Sequence, residues 1–399
     1  MKKQSNAPQI RFQNFEDEWL DSTIGRHISL LNGRAYKQEE LLDEGKYRVL
    51  RVGNFNTNSK WYYSNLELEE NKYVNKGDLL YLWATNFGPE IWTEEKAIYH
   101  YHIWKLEFDR TEINQDYLNI WLESDKNKIQ QNTNGSTMVH ITKTMMEERG
   151  ISLPNFDEQS AIGSLFRTLD DLLVSYKDNL TNYQSLKAVM LSKMFPKAGQ
   201  TVPEIRLDGF EGEWEEKKLG EIVDIVGGGT PDTNVKEYWN GEINWFSPTE
   251  VGNSIYLDTS EKRISELGLQ KSSAKILPAN RTILFTSRAG IGSVGIITKD
   301  STTNQGFQSL VIKEGIDIYF LFSYSSEITR YALKHSAGST FLEISGKELG
   351  KMDIIIPSYD EQKAIGAYFS NLDNLINSHQ EKISQLETLK KKLLQDMFL

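Results

Sequence analysis

The sequence predicts an α+β protein made of two tandem, pseudo-repeated domains. Each is followed by a long helix, and the two helices pack as an antiparallel coiled coil. Three observations carry this expectation. A prologue at the start of the chain returns in its middle, a second motif is also duplicated, and each copy of that motif opens a heptad pattern. The prologue Pro8-x-Ile10-Arg11-x-x-x-Phe15-Glu16-x-Glu18-Trp19 returns as Pro203-x-Ile205-Arg206-x-x-x-Phe210-Glu211-x-Glu213-Trp214, 195 residues later. The second motif, Pro154-x-Phe156-Asp157-Glu158-Gln159-x-Ala161-Ile162-Gly163, returns at an offset of 203 as Pro357-x-Tyr359-Asp360-Glu361-Gln362-x-Ala364-Ile365-Gly366. Gly135-Ser136-Thr137 and Gly338-Ser339-Thr340 align at the same offset, as do Met194-Phe195 and Met397-Phe398. Between these blocks, residues 26–134 and 221–337 share little, which suggests one scaffold carrying two different recognition surfaces.

At roughly 100–200 residues per domain, 399 residues suffice for two or three domains. The repeats divide them into an α+β domain at 1–153, a long helix at 154–196, a second α+β domain at 197–356 and a second long helix at 357–399. Within the domains, apolar runs bounded by Gly, Asn and Thr predict strands at 47–52, 79–83, 98–106, 282–285, 293–298 and 309–312. Helical patches follow near 114–131 and 317–335. After Pro154 the apolar residues Ile162, Phe166, Leu169, Leu173, Tyr176, Leu180, Tyr183, Met190 and Met194 alternate spacings of four and three, interrupted only at Lys187. Ile365, Phe369, Leu372, Ile376, Ile383, Leu386, Leu393 and Met397 repeat the pattern, with Lys390 at the matching interruption and His379 opposite Tyr176 in the alignment. Asn155-x-x-Glu158 and Ser358-x-x-Glu361 read as capping boxes. A helix of ~36 residues is about 54 Å long, too long to pack only on its own domain.

Composition narrows the function classes. Hydrophobic residues at 39% and charged residues at 25% describe an ordinary globular chain. No apolar run approaches the ~18 residues that a membrane span requires, and Met1–Pro8 lacks the apolar core of a signal peptide. With no cysteine there is neither a disulfide framework nor a thiolate site, and a cytoplasmic location is expected. A net charge of −11 argues against a protein that coats nucleic acid non-specifically, while leaving room for a reader with local positive charge.

Catalytic signatures are missing. There is no Walker-type phosphate loop, no Asn-Pro-Pro-Tyr/Phe methyltransferase motif and no nucleotide-cofactor fingerprint. Gly227-Gly228-Gly229-Thr230 lacks a following lysine and reads as a turn. Pro231-Asp232 has no Glu-x-Lys at nuclease spacing. His100-Tyr101-His102 on a strand would place two imidazoles on one face, yet no third ligand is apparent, so a core or substrate contact is the simpler reading. What remains are polar side chains able to touch DNA, interleaved with aromatics. In the first repeat these are Arg34, Lys37, Arg51, Asn54, Lys60, Asn86, His100, His102, Ser136, Thr137 and Lys143, near Tyr36, Asn56 and Thr85. In the second they are Thr230, Ser247, Arg263, Ser287, Arg288, Asn304, Gln305, Ser339, Thr340 and Lys347. Arg reads guanine and Asn or Gln reads adenine by paired hydrogen bonds, and Gly-Ser-Thr turns offer backbone N–H groups to phosphate.

The duplicated Asp-Glu-Gln-x-Ala-Ile-Gly helix openings, the paired Gly-Ser-Thr turns, Asn86-Phe87-Gly88-Pro89, Gly229-Thr230-Pro231, Thr303-Asn304-Gln305-Gly306-Phe307 and the two Trp-closed prologues together resemble the specificity (S) subunits of type I restriction–modification systems. The resemblance spans essentially the whole chain. It implies a non-catalytic, sequence-specific DNA-binding subunit with two target-recognition domains, each reading one half of a bipartite asymmetric site. The helices would act as a ruler between half-sites about one DNA turn, ~34–36 Å, apart. Partners implied are double-stranded DNA, two methyltransferase subunits and two restriction (translocase–nuclease) subunits, with S-adenosylmethionine, ATP and Mg2+ held by those partners and no cofactor here. The acidic balance keeps open a coiled-coil adaptor that binds no DNA, or an acidic inhibitor of restriction enzymes.

Overall fold

The computed structural model describes residues 8–55, 58–84, 87–132, 141–197, 199–288, 290–338 and 342–398, without the side chains of 131 and 132. The chain forms two compact units, Met1–Lys177 with Glu381–Leu399, and Asp178–Gln380. The division falls inside both long helices.

In the first unit, strand Leu20–Thr23 runs antiparallel to Gly150–Leu153, Leu20 facing Leu153 and Thr23 facing Gly150. The chain therefore passes into and out of the α+β domain through adjacent strands. Between them lie two four-stranded sheets. One is antiparallel, in the order Ile28–Asn32, Ile103–Phe108, Leu79–Leu82, Gly88–Ile91. The other has the order Tyr62–Ser64, Tyr47–Leu50, Ala97–Tyr99, Tyr73–Val74, and its two central strands are parallel. Helix Gln115–Asn132 follows. Trp19, Tyr81, Trp104, Tyr117 and Phe166 anchor the main core.

The second unit repeats this plan in the region where the sequences diverge. Strand Glu215–Lys218 pairs with Asp353–Ile356. One sheet has the order Val223–Gly227, Gln308–Ile312, Thr282–Phe285, Val294–Ile297, Tyr256–Leu257. The other has Lys262–Ile264, Trp239–Phe246, Ser301–Thr303, again with a parallel pair, Asn244 facing Ser301. Apart from edge strands, the two units share one strand order. Pairing requires only apolar residues at pleat positions, so the side chains facing solvent were free to differ.

One expected strand divides. The run 98–106 breaks at a turn over His100–His102 into Ala97–Tyr99 and Ile103–Phe108, which belong to different sheets. The apolar alternation continues through the turn because both halves are buried. The triglycine is not a turn either. Gly227 ends a strand, and a Cβ on Gly228 or Gly229 would lie 1.9 Å from the Asn304 carbonyl oxygen or 2.4 Å from the Ala274 nitrogen. Close backbone approach explains the glycines there.

The long helices are Phe156–Lys193 and Tyr359–Asp396, each of 38 residues. Every expected seam position is buried or partly buried, and nearly all its neighbours beyond the first turns are exposed. Packing is antiparallel within each unit. In the first, Lys177 pairs with Glu387 at 2.7 Å and Asp170 with Lys390 at 2.8 Å. In the second, Tyr183 meets the His379 ring edge-on at 5.2 Å and Lys187 pairs with Asp373. Lys187 with Asp373, and Lys390 with Asp170, occupy equivalent repeat positions. The two interruptions of the seam are thus one ion pair made twice, the lysines satisfied by an aspartate of the opposing helix.

The repeated motifs likewise build equivalent contacts. Arg11 donates from Nε and Nη2 to both carboxylate oxygens of the fully buried Glu158 at 2.7 Å, and Arg206 does the same to Glu361 at 2.8 and 2.7 Å. The Asn155 and Ser358 side chains accept the backbone N–H of these glutamates, as a cap should. The glutamates do not complete the box, because they turn to the arginines. Gln159 accepts from Asn114 N and donates to Pro154 O, and Gln362 accepts from Asp317 N and donates to Pro357 O. Gly163 and Gly366 lie against the start of the preceding helix, where a Cβ would sit 2.7 Å from Asp116 Cβ or 2.3 Å from Asp317 Oδ1.

Candidate nucleic-acid interface

In the first unit the fold gathers six of the expected residues around aromatic rings. Arg51 follows strand Tyr47–Leu50, and the turn Val52–Phe55 after it is braced by Asn54. Asn54 Oδ1 accepts from Arg51 N at 3.0 Å, and its Nδ2 donates to Lys60 O at 3.1 Å. Its amide is thereby occupied in holding the loop. Arg51 and Lys60 both lie over the Tyr62 ring, 5.1 Å from its centroid. Arg34 lies over Tyr36 at 5.5 Å and donates from Nη2 to Glu40 at 2.7 Å, while its Nη1 is buried without a partner among the described residues. Tyr36 stacks towards His100 at 6.4 Å, His100 towards His102 at 4.8 Å, and His102 against Trp83 at 4.9 Å. Trp83 donates from Nε1 to Tyr101 O at 2.9 Å. The result is a surface of cations and π-faces, the combination that suits nucleobases and phosphates. Sequence reasoning named the polar members but missed Tyr62, Trp83 and Tyr101, whose signal was an aromatic residue within three positions of a named one, Lys60, Asn86 and His100 respectively.

His100 is pushed down to about 4, first by burial and then by His102 and Arg51. Its ring is neutral at physiological pH and offers one donor and one acceptor. An unfolded imidazole titrates near 6.5, so the unfolded chain takes up this proton first as pH falls. The stability tied to neutral His100 is complete above about pH 6.5 and is lost progressively towards pH 4. Urea unfolding of the first unit is expected to lose stability across that window, and His100→Asn to flatten the loss; an unchanged slope would exclude His100 as its source. Among the described residues no group of three His, Asp or Glu could hold a metal ion.

In the second unit five of the expected residues meet around the turn at Asn304–Gly306. Thr230 donates its hydroxyl to Gln305 Oε1. Asn304 Oδ1 accepts from Gly306 N at 2.7 Å, and Ser287 N donates to Gly306 O at 2.8 Å. Ser247 starts the turn Pro248–Glu250, with its hydroxyl on Glu250 at 2.7 Å, and Pro248 packs over Gly306. Arg288 follows Ser287 directly.

Other expected residues lie on separate elements. Lys37 is exposed, 3.8 Å from Glu39. Lys143 opens the short helix Lys143–Glu147 and pairs with Glu147 at 3.6 Å. Arg263 is 3.7 Å from Glu242, and Lys347 is exposed on Gly346–Leu349. Asn86, Ser136, Thr137, Ser339 and Thr340 lie outside the described residues, as do Asn56 and Thr85.

The model of the type I restriction modification DNA specificity domain matches residues 16–182 and 211–388, once per repeat. The chain is 37% identical over 192 residues to the type I restriction enzyme MjaIX specificity subunit of Methanocaldococcus jannaschii, covering 47% of this chain and 44% of that one. It is 34% identical over 190 residues to the EcoR124I/EcoR124II specificity subunit of Escherichia coli, covering 46% of each. It thus spans about half the length of these two relatives. The MjaVIII specificity subunit of M. jannaschii aligns at 25% identity over 98% of this chain and 95% of its own. The fold is similar to that of an S subunit from M. genitalium, with TM-score 0.65 and 17% identity over 98% of this chain and 99% of that one.

Proposed function

The chain belongs to the DNA specificity family of type I restriction–modification systems, and from that premise we propose that it is the sequence-reading DNA-binding subunit of such a complex. Residues 1–153 and 197–356 each read one half of a bipartite, asymmetric site on double-stranded DNA. The helical segments 154–196 and 357–399 set the unread spacer and dock two methyltransferase subunits, and two restriction subunits join them. The chain catalyses nothing itself. S-adenosylmethionine, ATP and Mg2+ belong to the partners, and the assembly works in the cytoplasm. No helix among the described residues is long and apolar enough to cross a membrane.

The observation that carries this reading is one strand order built twice with unlike loops, the first presenting cations over aromatic rings and the second a polar turn at Asn304–Gly306. In the first unit, His100, His102, Arg51 and Arg34 face bases, and Lys37, Lys60 and Lys143 approach phosphate. In the second, Thr230, Ser247, Asn304 and Gln305 form the base-facing turn, and Arg263 and Lys347 lie towards the backbone. Because many of these cations already pair with carboxylates, phosphate attraction from this chain alone is modest and the partners supply much of the clamp. The test is methylome sequencing of cells expressing the cognate methyltransferase subunit with and without this chain. A bipartite methylated motif is expected only when the chain is present. Unchanged methylation in a verified complex would favour the adaptor or inhibitor.

A further inference from the structure

Nearly every arginine of the chain has its guanidinium engaged. The others pair with a carboxylate, donate to a backbone carbonyl or lie over a ring; the exceptions are Arg26 and Arg288. Arg26 is exposed on a four-residue turn, where water solvates it. Arg288 is different. It is partly buried, yet among the described residues its guanidinium has no ion pair, hydrogen bond or ring contact. No guanidinium nitrogen of Arg288 is among the buried unpaired atoms of the described residues, so the fork is open to an acceptor from outside.

The backbone before it, and again from Gly290 onwards, is by contrast tied down. Thr286 Oγ1 donates to Gly290 O at 2.6 Å and accepts from Ser293 N at 2.8 Å, closing the loop on itself. Ser287 N donates to Gly306 O at 2.8 Å, Ile344 N donates to Ser287 O at 3.1 Å, and Arg288 forms a β-bridge with Glu343. Gly292, at φ 103°, fits so closely against Thr329 that a Cβ would lie 2.2 Å from its methyl carbon. Fixed backbone with an uncommitted planar donor is how a geometric reader is built, since little ordering remains to be lost on binding.

We propose that Arg288 determines one base of the half-site read by the second unit, donating its paired N–H groups to O6 and N7 of a guanine in the major groove, with its loop held in place by Asn304–Gly306. Guanine fits better than phosphate. The guanidinium fork matches a pair of acceptors on a base edge or on a phosphate, but a position set by the backbone bonds of Ser287 suits orientation-dependent base reading more than the sequence-independent attraction that phosphate contacts supply. The inference rests on the DNA-reading role proposed above and adds the residue and the base.

The experiment measures binding of the assembled complex, this chain with its cognate methyltransferase subunits, to a pool of randomised duplexes, comparing wild type with Arg288→Ala and Arg288→Lys. Wild type should select a bipartite motif; if it selects none, the DNA-reading role itself fails. Arg288→Ala is expected to lose preference at one G·C position of one half-site, weakening the best site roughly 10- to 100-fold, while the other half-site stays intact and serves as the control for folding. Arg288→Lys should recover charge but only part of the preference. A uniform loss over all sequences, with a salt dependence lower by about one phosphate contact, would show a backbone contact and overturn the assignment. So would an unaltered motif.

Discussion

Arg206→Ala is expected to destabilise the second unit by about 3–5 kcal/mol, the cost of leaving a buried charge without its counter-ion. Glu361 is 1% exposed, and its two oxygens are held by Arg206 Nε and Nη2. Arg206 also donates to the backbone oxygens of Glu211 and Gly212, pinning the prologue against the start of the long helix. Alanine removes all four bonds. The equivalent change in the first unit, Arg11→Ala, should cost less, because Glu158 keeps the Trp19 indole N–H at 3.2 Å. In the second unit the corresponding indole, Trp214 Nε1, makes no hydrogen bond among the described residues. Arg206→Lys retains the charge but not the two-pronged geometry and should fall between wild type and alanine. Urea unfolding of the three variants checks the order. A loss below about 1 kcal/mol for Arg206→Ala, or a larger loss for Arg11→Ala, would show that this pair does not hold the prologue in place.

That contact also shows why the repeat was legible in the sequence. A fully buried carboxylate, a glutamine bridging two helix starts and a glycine with no room for a Cβ each demand one residue type. The scaffold therefore kept its letters twice, as Arg11, Glu158, Gln159 and Gly163 and as Arg206, Glu361, Gln362 and Gly366. The helices were legible for a similar reason, since a heptad seam is a local pattern. The Lys187 and Lys390 interruptions were visible, but their partners were not, because Asp373 and Asp170 lie outside the seam positions and on the opposite helix. The shared strand order of the two middles was hidden for the opposite reason. Val49 facing Ile98 and Trp245 facing Thr302 are pairings between distant segments that any apolar or β-branched residue can make. The candidate interface was legible as residue types and not as a site. Asn54 and Arg288 look alike in a sequence, yet one spends its side-chain polar atoms on its own loop and the other's guanidinium engages none of the described residues.

Replacing residues 24–149 with residues 219–352 of the same chain should produce a reader whose motif contains the second unit's half-site twice and the first unit's not at all. Each α+β domain is bounded by a pair of adjacent antiparallel strands that close on an equivalent rung, Thr23 facing Gly150 and Lys218 facing Asp353. A segment cut at one rung therefore carries the end-to-end spacing the other needs. The sockets on the long helix agree as well. Gly163 and Gln159 receive the helix start at Asn114 as Gly366 and Gln362 receive the one at Asp317. Tyr319, which donates to Asp373 at 2.8 Å in its own unit, would arrive beside Asp170, the equivalent aspartate. The graft loses Glu123, one of two carboxylates on Lys390, but Asp170 remains, so folding should survive at modest cost. Specific sites commonly exceed non-specific DNA by 10³-fold or more, so methylation of the original site should fall by at least about that factor while the new site gains it. Methylome sequencing reads both. If the original motif persists, or if both halves of the motif change, the two domains do not read independently. The different loops on a common strand order would then be one composite surface and not two exchangeable readers.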